Sequence, residues 1–433
     1  MATAVDFKQS LLQRDDLSVS LRFGYLGLGM GGCSIAASCA DISTKVTNLK
    51  YPYTALLLNT NKMDLEKIDY RNPNIKKLTI GDGKGAGRNI SIGETAYIND
   101  QELVETEIKK QFMTSDFVWI VAGLGGGTGT GTVIQAIKSL HSNGYKKRFG
   151  LILTLPRVQE GSTVLSNALE RLQTISQVMK GMGSIIVVDN QKLYDYYTKE
   201  APNATVSEYL SFSNRFVAET LHELNVVTSS FKPYGEYHFD SSEFENLIKT
   251  PGLLHLAKFS SKSSEIDSEQ QISYLTKLED YVNEGVLSDG YKLNSADRLA
   301  VSIIANKTTA DRIFNIQFTN NIENAIDTIS PSADEKPIAQ YIDDRKDANY
   351  VQFYAMFAGL SLPKRVSELV QENERLIQLQ EEHKNDSDDV LSALSTFKRK
   401  KNETHDDLDD LFSDSKAEDK LYNDTEYNPL DDL

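Results

Sequence analysis

The apolar run Phe117-Val118-Trp119-Ile120-Val121-Ala122 leads, after Gly123-Leu124, into Gly125-Gly126-Gly127-Thr128-Gly129-Thr130-Gly131, a stretch of five glycines and two threonines. An unbroken apolar run of this length reads as a strand covered on both faces, which belongs in a parallel α/β sheet. Beyond the glycines, Val133, Ile134, Ala136, Ile137 and Leu140 recur at helical spacing. Strand, glycine loop and helix in this order bring free backbone N–H groups and a helix N-terminus to one place, where an anion is favoured. A loop so poor in side chains lets its backbone approach a phosphate. A flexible linker would have the glycines without the flanking strand and amphipathic helix.

A second glycine loop repeats the arrangement. Arg22-Phe23-Gly24-Tyr25-Leu26 enters Gly27-Leu28-Gly29-Met30-Gly31-Gly32-Cys33, and a helical segment follows. Gly27, Gly29 and Gly32 fit the G-x-G-x-x-G dinucleotide pattern. That pattern expects a carboxylate about 20 residues on, at the end of the second strand. Here the second strand, Tyr53 to Leu58, lies further away and ends in Asn59-Thr60-Asn61. A dinucleotide enzyme would also leave residues 125–131 unexplained. No G-x-x-x-x-G-K-[S/T] occurs, so the chain lacks a P-loop, and without one the N-K-x-D string at Asn61-Lys62-Met63-Asp64 reads as coincidence. Two glycine loops on separate strands remain.

The loops that follow bear a family resemblance. Residues 125–131 resemble the signature of the tubulin/FtsZ superfamily, and Gly27 to Cys33 resembles its first phosphate loop, with Gly29, Met30, Gly31, Gly32 and Cys33 as candidate contacts. Asn59-Thr60-Asn61 resembles the second loop and Gly85-Ala86-Gly87-Arg88-Asn89 the third, near the γ-phosphate, with Asn59, Asn61, Gly87, Arg88 and Asn89 as candidate contacts. Gly125, Gly126, Gly127, Thr128, Gly129 and Thr130 form the fourth; Pro156 to Gly161 resembles the fifth, with Glu160 as the ribose ligand. Asn190 and Asn214 match the family's guanine-contacting asparagines, whose amides can both donate to and accept from the base. The resemblance covers residues 20–260. It implies binding of GTP and GDP, with magnesium bridging the phosphates, although no side-chain ligand for the metal can be assigned.

In this family hydrolysis depends on an acidic loop supplied by a second subunit. Tyr237-His238-Phe239-Asp240-Ser241-Ser242-Glu243-Phe244 has the matching acidic pair, so Asp240 and Glu243 are implied to orient or deprotonate the attacking water. The same two carboxylates would also cap a helix starting at residue 241, and both roles can hold together. Val164 stands where FtsZ has a basic residue, which leaves Arg157 or Arg88 to supply that contact. Cys33 reads as a small residue allowing close packing rather than as a nucleophile.

Strands expected at 22–28, 53–59, 117–122, 149–155 and 184–189 make a parallel sheet; a long helix from Val206 to Val227 leads out of it. Strands at 299–304, 313–318 and 351–357 suggest a smaller mixed α/β domain. The division that results is a GTP-binding domain at 1–204, a central linking helix at 205–228, a second domain at 229–362, a C-terminal helix at 363–383 and a disordered acidic tail at 384–433. Leu11, Leu12 and Leu17 suggest a short N-terminal amphipathic helix. Val366, Leu369, Val370, Leu376, Ile377 and Leu379 form the stripe of the C-terminal helix, expected to pack along its own domain.

Charge and cysteine content set the expected surroundings. Only Cys33 and Cys39 occur, both on one short segment, which fits a reducing compartment. There is neither a signal-peptide h-region nor an apolar run of membrane-spanning length, so a cytoplasmic protein with no membrane partner is expected. Residues 402–433 carry twelve Asp or Glu against two Lys, a charge of −10 out of the chain's −16. Such a tail repels nucleic acid, and no direct DNA binding is expected.

The long C-terminal helix resembles the plasmid-borne TubZ branch rather than FtsZ, where this region is a flexible linker. That resemblance implies a GTPase polymerising head to tail with itself into cytomotive filaments for plasmid segregation. Its partner would be a TubR-like DNA-binding adaptor on a plasmid centromere, docked through the C-terminal tail. The alternatives are an FtsZ-type cell-division protein and a non-polymerising nucleotide-binding regulator.

Overall fold

In a computed structural model, which describes residues 14–235, 238–345 and 349–395, the alternation of buried strand and helix takes physical form. The first part of the chain runs β1 (Phe23–Leu28), α1 (Gly29–Ala40), β2 (Thr54–Asn59), α2 (Lys62–Glu66), β3 (Ile75–Thr79), α3 (Ile90–Asn99), α4 (Gln101–Gln111), β4 (Phe117–Gly123), α5 (Thr128–Leu140), β5 (Phe149–Leu155), α6 (Ser162–Val178), β6 (Ser184–Asp189) and α7 (Asn190–Glu200). Strands β1, β5 and β6 are buried at every position, as parallel strands covered on both faces must be.

A long helix, α8 (Val206–Ser230), leads into β7 (Lys232–Pro233), α9 (Ser241–Lys249), β8 (Gly252–Lys262), α10 (Leu275–Glu284), β9 (Arg298–Asn306), α11 (Lys307–Ile313), α12 (Ile316–Ile329), β10 (Ile338–Asp343), β11 (Tyr350–Leu360) and α13 (Lys364–Ser395). Thr205 and Glu208 start α8 with reciprocal bonds: Glu208 N–H donates to Thr205 Oγ1 at 3.2 Å and Thr205 N–H to Glu208 Oε2 at 2.7 Å.

All strands join one sheet of order β3-β2-β1-β4-β5-β6-β8-β11-β9-β10-β7. It is parallel from β3 to β8, but β6 and β8 share a short ladder, Ser184 opposite Gly252 and Ile185 opposite Leu253. Beyond it, β11 runs antiparallel to both β8 and β9, β10 is parallel to β9, and β7 is antiparallel to β10. A parallel sheet sends every strand C-terminus to one edge, so the loops after β1, β2, β4, β5 and β6 gather there. Helix α8 is tied to the mixed part of the sheet by a buried ion pair, Lys258 Nζ to Glu223 Oε2 at 2.9 Å, with Tyr354 Oη donating to the same carboxylate at 3.3 Å.

Several expectations need correction. Residues 313–318 are not a strand: α11 ends and α12 begins there, with Asn315 as N-cap accepting from Phe318 N–H at 2.9 Å. Ile316 is 80 % exposed while Ile313 and Phe318 are buried, a helical rather than an alternating pattern. Strands β3, β8 and β10 were not anticipated; β8 carries the buried His255 and Lys258, which interrupt its apolar signature. Leu17 is buried but lies in a non-helical segment, while Leu11 and Leu12 are outside the described residues.

Residues up to Ile377 form one compact unit; the rest of α13 belongs to a second. Of the stripe on α13, Leu369 is buried and Val366 and Leu376 pack on the core, whereas Val370 and Ile377 are exposed. The helix continues to Ser395, beyond residue 383, and the remainder of the segment read as an acidic tail lies outside the described residues. Among the described residues, no helix is long and apolar enough to cross a membrane.

Candidate functional site

The two glycine loops touch. Gly29 has φ +67°, and a Cβ there would stand 2.7 Å from the Gly129 nitrogen. At Gly129 a Cβ would meet the carbonyl oxygens of Gly123 at 2.8 Å and Leu28 at 2.9 Å. The glycines therefore serve first to bring the ends of β1 and β4 together, and only then to expose amides. Thr130, fully buried, braces the fourth loop by accepting from Gly125 N–H at 2.8 Å. Thr128 Oγ1 is 2.6 Å from Thr60 Oγ1, a bond between the second and fourth loops. Gly125 has φ +104° and packs on Val164, so the valine at the position expected to be basic supports this loop.

The third loop joins the same assembly. Gly87 and Arg88 adopt φ +51° and +65°, and Asn89 N-caps α3 by accepting from Ser91 N–H at 2.9 Å. Asn167 Nδ2 on α6 donates to Arg88 O at 3.0 Å and to Gly125 O at 3.3 Å, stitching the third loop to the fourth.

Between the loops lies an open cavity of about 460 Å³. Its walls include Gly29, Met30, Gly31, Asn59, Asn61, Gly87, Gly126, Gly127, Thr128, Gly129, Glu160 and Asn190, all candidates from sequence. Asn214 lines an adjoining cavity of about 500 Å³, and the two cavities share Met30. Gly32, Cys33, Arg88, Asn89, Gly125 and Thr130 do not line the first cavity; Thr130, Asn89 and Gly125 hold the loops in shape instead. Cys33 is fully buried and donates to Gly27 O and Leu58 O at 3.3 Å each; burial pushes its thiol pKa up, away from nucleophilic use.

Asn59 is the most telling side chain of the cavity. It is 2 % exposed, its Oδ1 accepts from Asn61 N–H at 3.3 Å, and its Nδ2 has no hydrogen-bond partner. A buried donor left unpaired is costly, so this amide is set to meet an acceptor in the cavity. Glu160 Oε1 accepts from Arg157 N–H at 2.9 Å, while the Arg157 guanidinium lies 4.2 Å from the centre of the Tyr194 ring.

Asp64, Lys84 and Thr154 also line the cavity and were missed; Pro156, at the start of the fifth loop, lines it too. Lys84 lies between two glycines in Gly83-Lys84-Gly85, a cation within a bare loop that could have been noticed. Asp64 belongs to the N-K-x-D string set aside as coincidence; Asn61 Oδ1 accepts from its N–H at 3.2 Å, capping α2.

At the far end, Asp189 Oδ1 caps α7 by accepting from Gln191 N–H at 2.9 Å, and Tyr209 Oη donates to Asn190 O at 3.0 Å. Burial raises the Asp189 pKa, although Arg365 of α13, 3.1 Å away, favours the carboxylate.

The acidic pair stands apart. Asp240 is the N-cap of α9: its Oδ1 accepts from Ser242 N–H at 2.8 Å and Glu243 N–H at 2.9 Å, and Glu243 Oε2 accepts from Asp240 N–H at 2.9 Å. Both residues are exposed, and neither lines the cavity. The capping role is therefore present, and the structure brings the pair to no nucleotide loop of its own chain.

Comparison with known proteins adds to this geometry. Residues 24–198 match the model of the Tubulin/FtsZ family, GTPase domain, and residues 237–364 that of the Tubulin-like protein TubZ, C-terminal domain. The chain is 44 % identical over 388 residues to the tubulin-like protein TubZ of Bacillus cereus, covering 88 % of this chain and 89 % of that one. A cell division protein FtsZ 2 of Haloferax volcanii is 32 % identical, over 49 % of this chain and 48 % of its own. Among solved structures, the GTPγS-form protofilament of Bacillus thuringiensis serovar israelensis TubZ superposes with a TM-score of 0.72 at 20 % identity, covering 88 % of this chain and 96 % of that one. A helical model of a TubZ-Bt two-stranded filament gives 0.74 at 20 % identity, covering 92 % and 96 %.

Proposed function

From the premise that this chain belongs to the TubZ family of tubulin/FtsZ-like GTPases, we propose that it polymerises head to tail and serves plasmid segregation. The observation that carries the filament reading is the separation of its parts. Glycine loops and asparagines surround one cavity, while Asp240 and Glu243 sit exposed and self-capped elsewhere on the chain. A site divided in this way is completed when a second copy brings its acidic turn to the first copy's nucleotide. Protofilament structures of TubZ from Bacillus thuringiensis serovar israelensis support that arrangement. A type III plasmid segregation TubZ that shares this fold supports the cellular role.

In this reading the backbone amides of residues 29–31 and 126–129, with Asn59 Nδ2, donate to the phosphates. Glu160 accepts from the ribose, and Asn190 and Asn214 meet the guanine from the two adjoining cavities. Lys84, the cation of the cavity wall, takes the phosphate contact that Val164 cannot make. Asp240 and Glu243 of the neighbouring subunit orient the attacking water and accept its proton.

Among the described residues, no group of three or more His, Cys, Asp or Glu is placed to hold a metal ion. Magnesium would accordingly be held by phosphate oxygens and water, as it commonly is beside nucleotides, and would neutralise charge on the phosphates. The division into a GTP-binding domain at 1–204, a linking helix at 205–228 and a second domain at 229–362 belongs to the same reading. So does a TubR-like adaptor docked on the acidic tail.

Glu243→Ala tests the proposal. The variant is expected to bind GTP, to pellet with GTP as filaments that persist, and to release phosphate about 100-fold more slowly or worse, the scale of a lost general base. Wild-type turnover in this variant would reduce Glu243 to a capping residue. A wild-type chain that stays monomeric with GTP at every concentration would sink the filament reading.

A further inference from the structure

The turn that carries Asp240 and Glu243 stands on Phe239, and Phe239 stands on a single hydroxyl. Its ring is buried, edge-on to Phe244 with centroids 6.3 Å apart, so its peptide groups are withdrawn from water as well. Both are satisfied by Tyr341: the phenol oxygen accepts from Phe239 N–H at 3.2 Å and donates to Phe239 O at 2.6 Å. Tyr341 is itself fully buried on β10, flanked by Ile304 of β9 on one side and Pro233 of β7 on the other. Strand pairing on both sides gives the hydroxyl little freedom to follow a moving loop. Burial pushes the phenol pKa up, and the carboxylates of Glu243 and Asp240 add to the rise, which keeps the hydroxyl able both to donate and to accept.

We propose that Tyr341 is a positioning residue for GTP hydrolysis: without touching nucleotide, it sets where the Asp240–Glu243 turn is presented to the neighbouring subunit. The proposal rests on reading Asp240 and Glu243 as the acidic pair that acts on that subunit's GTP. Its physical basis is the cost of orphaning buried backbone groups. Without the hydroxyl, the N–H and C=O of Phe239 must seek water, and Asp240, one residue on, must move with them. A displacement of about 1 Å at a reacting group can cost about 100-fold in rate.

Tyr341→Phe in the full chain removes one oxygen and keeps the ring in the core. Phosphate release per pelleted subunit is expected to fall about tenfold or more, while KM for GTP, GDP affinity and the pelleted fraction stay within about twofold of wild type. A general loss of structure would move those last three quantities as well. In a Glu243→Ala background, Tyr341→Phe is expected to slow turnover by no more than about twofold further, because it acts through the same turn. Phe239→Leu, which keeps both backbone bonds and an apolar side chain, is expected to hold turnover within about threefold.

Wild-type turnover in Tyr341→Phe overturns the proposal, and so does a full tenfold loss repeated on the Glu243→Ala background. Failure of the underlying reading looks different: Glu243→Ala itself would then hydrolyse GTP normally. A slow Glu243→Ala beside a normal Tyr341→Phe rejects the Tyr341 proposal alone.

Discussion

The nucleotide cavity and the acidic turn solve opposite problems. In the cavity, glycine loops from β1 and β4 are fixed by backbone contact and by Thr130, Thr128 and Asn167, yet Asn59 Nδ2 is left without a partner. In the turn, Asp240 and Glu243 bond each other's backbone, and the Phe239 peptide beneath them is paired with Tyr341. The cavity is preorganised but unsatisfied; the turn is satisfied but has nothing to act on. In the proposed reading a ligand completes the first, and a second copy of the chain gives the second a task beyond capping its own helix.

The sharpest break of this contrast is a mixing experiment. Gly129→Ala would drive a methyl group onto two backbone carbonyls and is expected to abolish GTP binding while leaving the acidic turn intact. Glu243→Ala has the reverse defect. Each alone is expected to lose about 100-fold or more of the hydrolytic rate, and a co-assembled mixture to regain a measurable fraction of it in phosphate-release assays. No recovery in filaments shown to contain both chains would count against catalysis across the subunit boundary.

Next in size is the unpartnered amide. Asn59→Leu is expected to weaken GTP binding about tenfold, the worth of one hydrogen bond to a charged acceptor. It should lower the melting temperature of the nucleotide-free chain only slightly, since the buried donor it removes has no partner and the one bond lost is the long 3.3 Å contact from Asn61 N–H to Oδ1. Calorimetry and thermal melting together check this, and a large loss of stability without nucleotide would show that Asn59 is structural. The corresponding change in the turn, Asp240→Ala, should lower the melting temperature by removing a cap worth about 1 kcal/mol, and leave GTP affinity within about twofold.

Acid is expected to disturb the contrast least. His255 is buried and His222 half-buried, and desolvation lowers each pKa to about 4. The unfolded chain protonates them near pH 6.5, so stability is full above that value and declines as pH falls toward 4. At pH 5 the loss is about 2 kcal/mol for each histidine. Neither lines the nucleotide cavity nor belongs to the turn, so GDP affinity should hold over the range in which the melting temperature drops. A fall in affinity that tracked the fall in stability would show that cavity and core are not separable.

The sequence made the parallel half of the fold legible and the mixed half much less so. Strands β1, β2, β4, β5 and β6 are runs whose burial shows in their own composition. Strand β8 hides because Lys258 within it is neutralised by Glu223, far away in sequence. The stretch 313–318 misleads because Asn315 caps a helix in the middle of what looks like alternation. At the site, the glycine loops could be read from local motifs and Asn190 from the family resemblance, while the acidic pair was legible as a helix cap. Thr154 carries no motif of its own, Lys84 shows only as a cation between two glycines, and Asp64 lies in an N-K-x-D string that has no P-loop beside it, so only the folded chain shows that all three reach one cavity.

By itself, the sequence determined what its local patterns can encode: buried strands, bare loops able to approach phosphate, a helix-capping acidic pair and the identity of the family. Only the tertiary structure decided which of these meet. Gly29 with Gly129, Asn59 without a partner, and Tyr341 beneath Phe239 depend on contacts between residues distant in the chain. Such contacts appear only when packing and the pairing of buried polar groups are satisfied all at once.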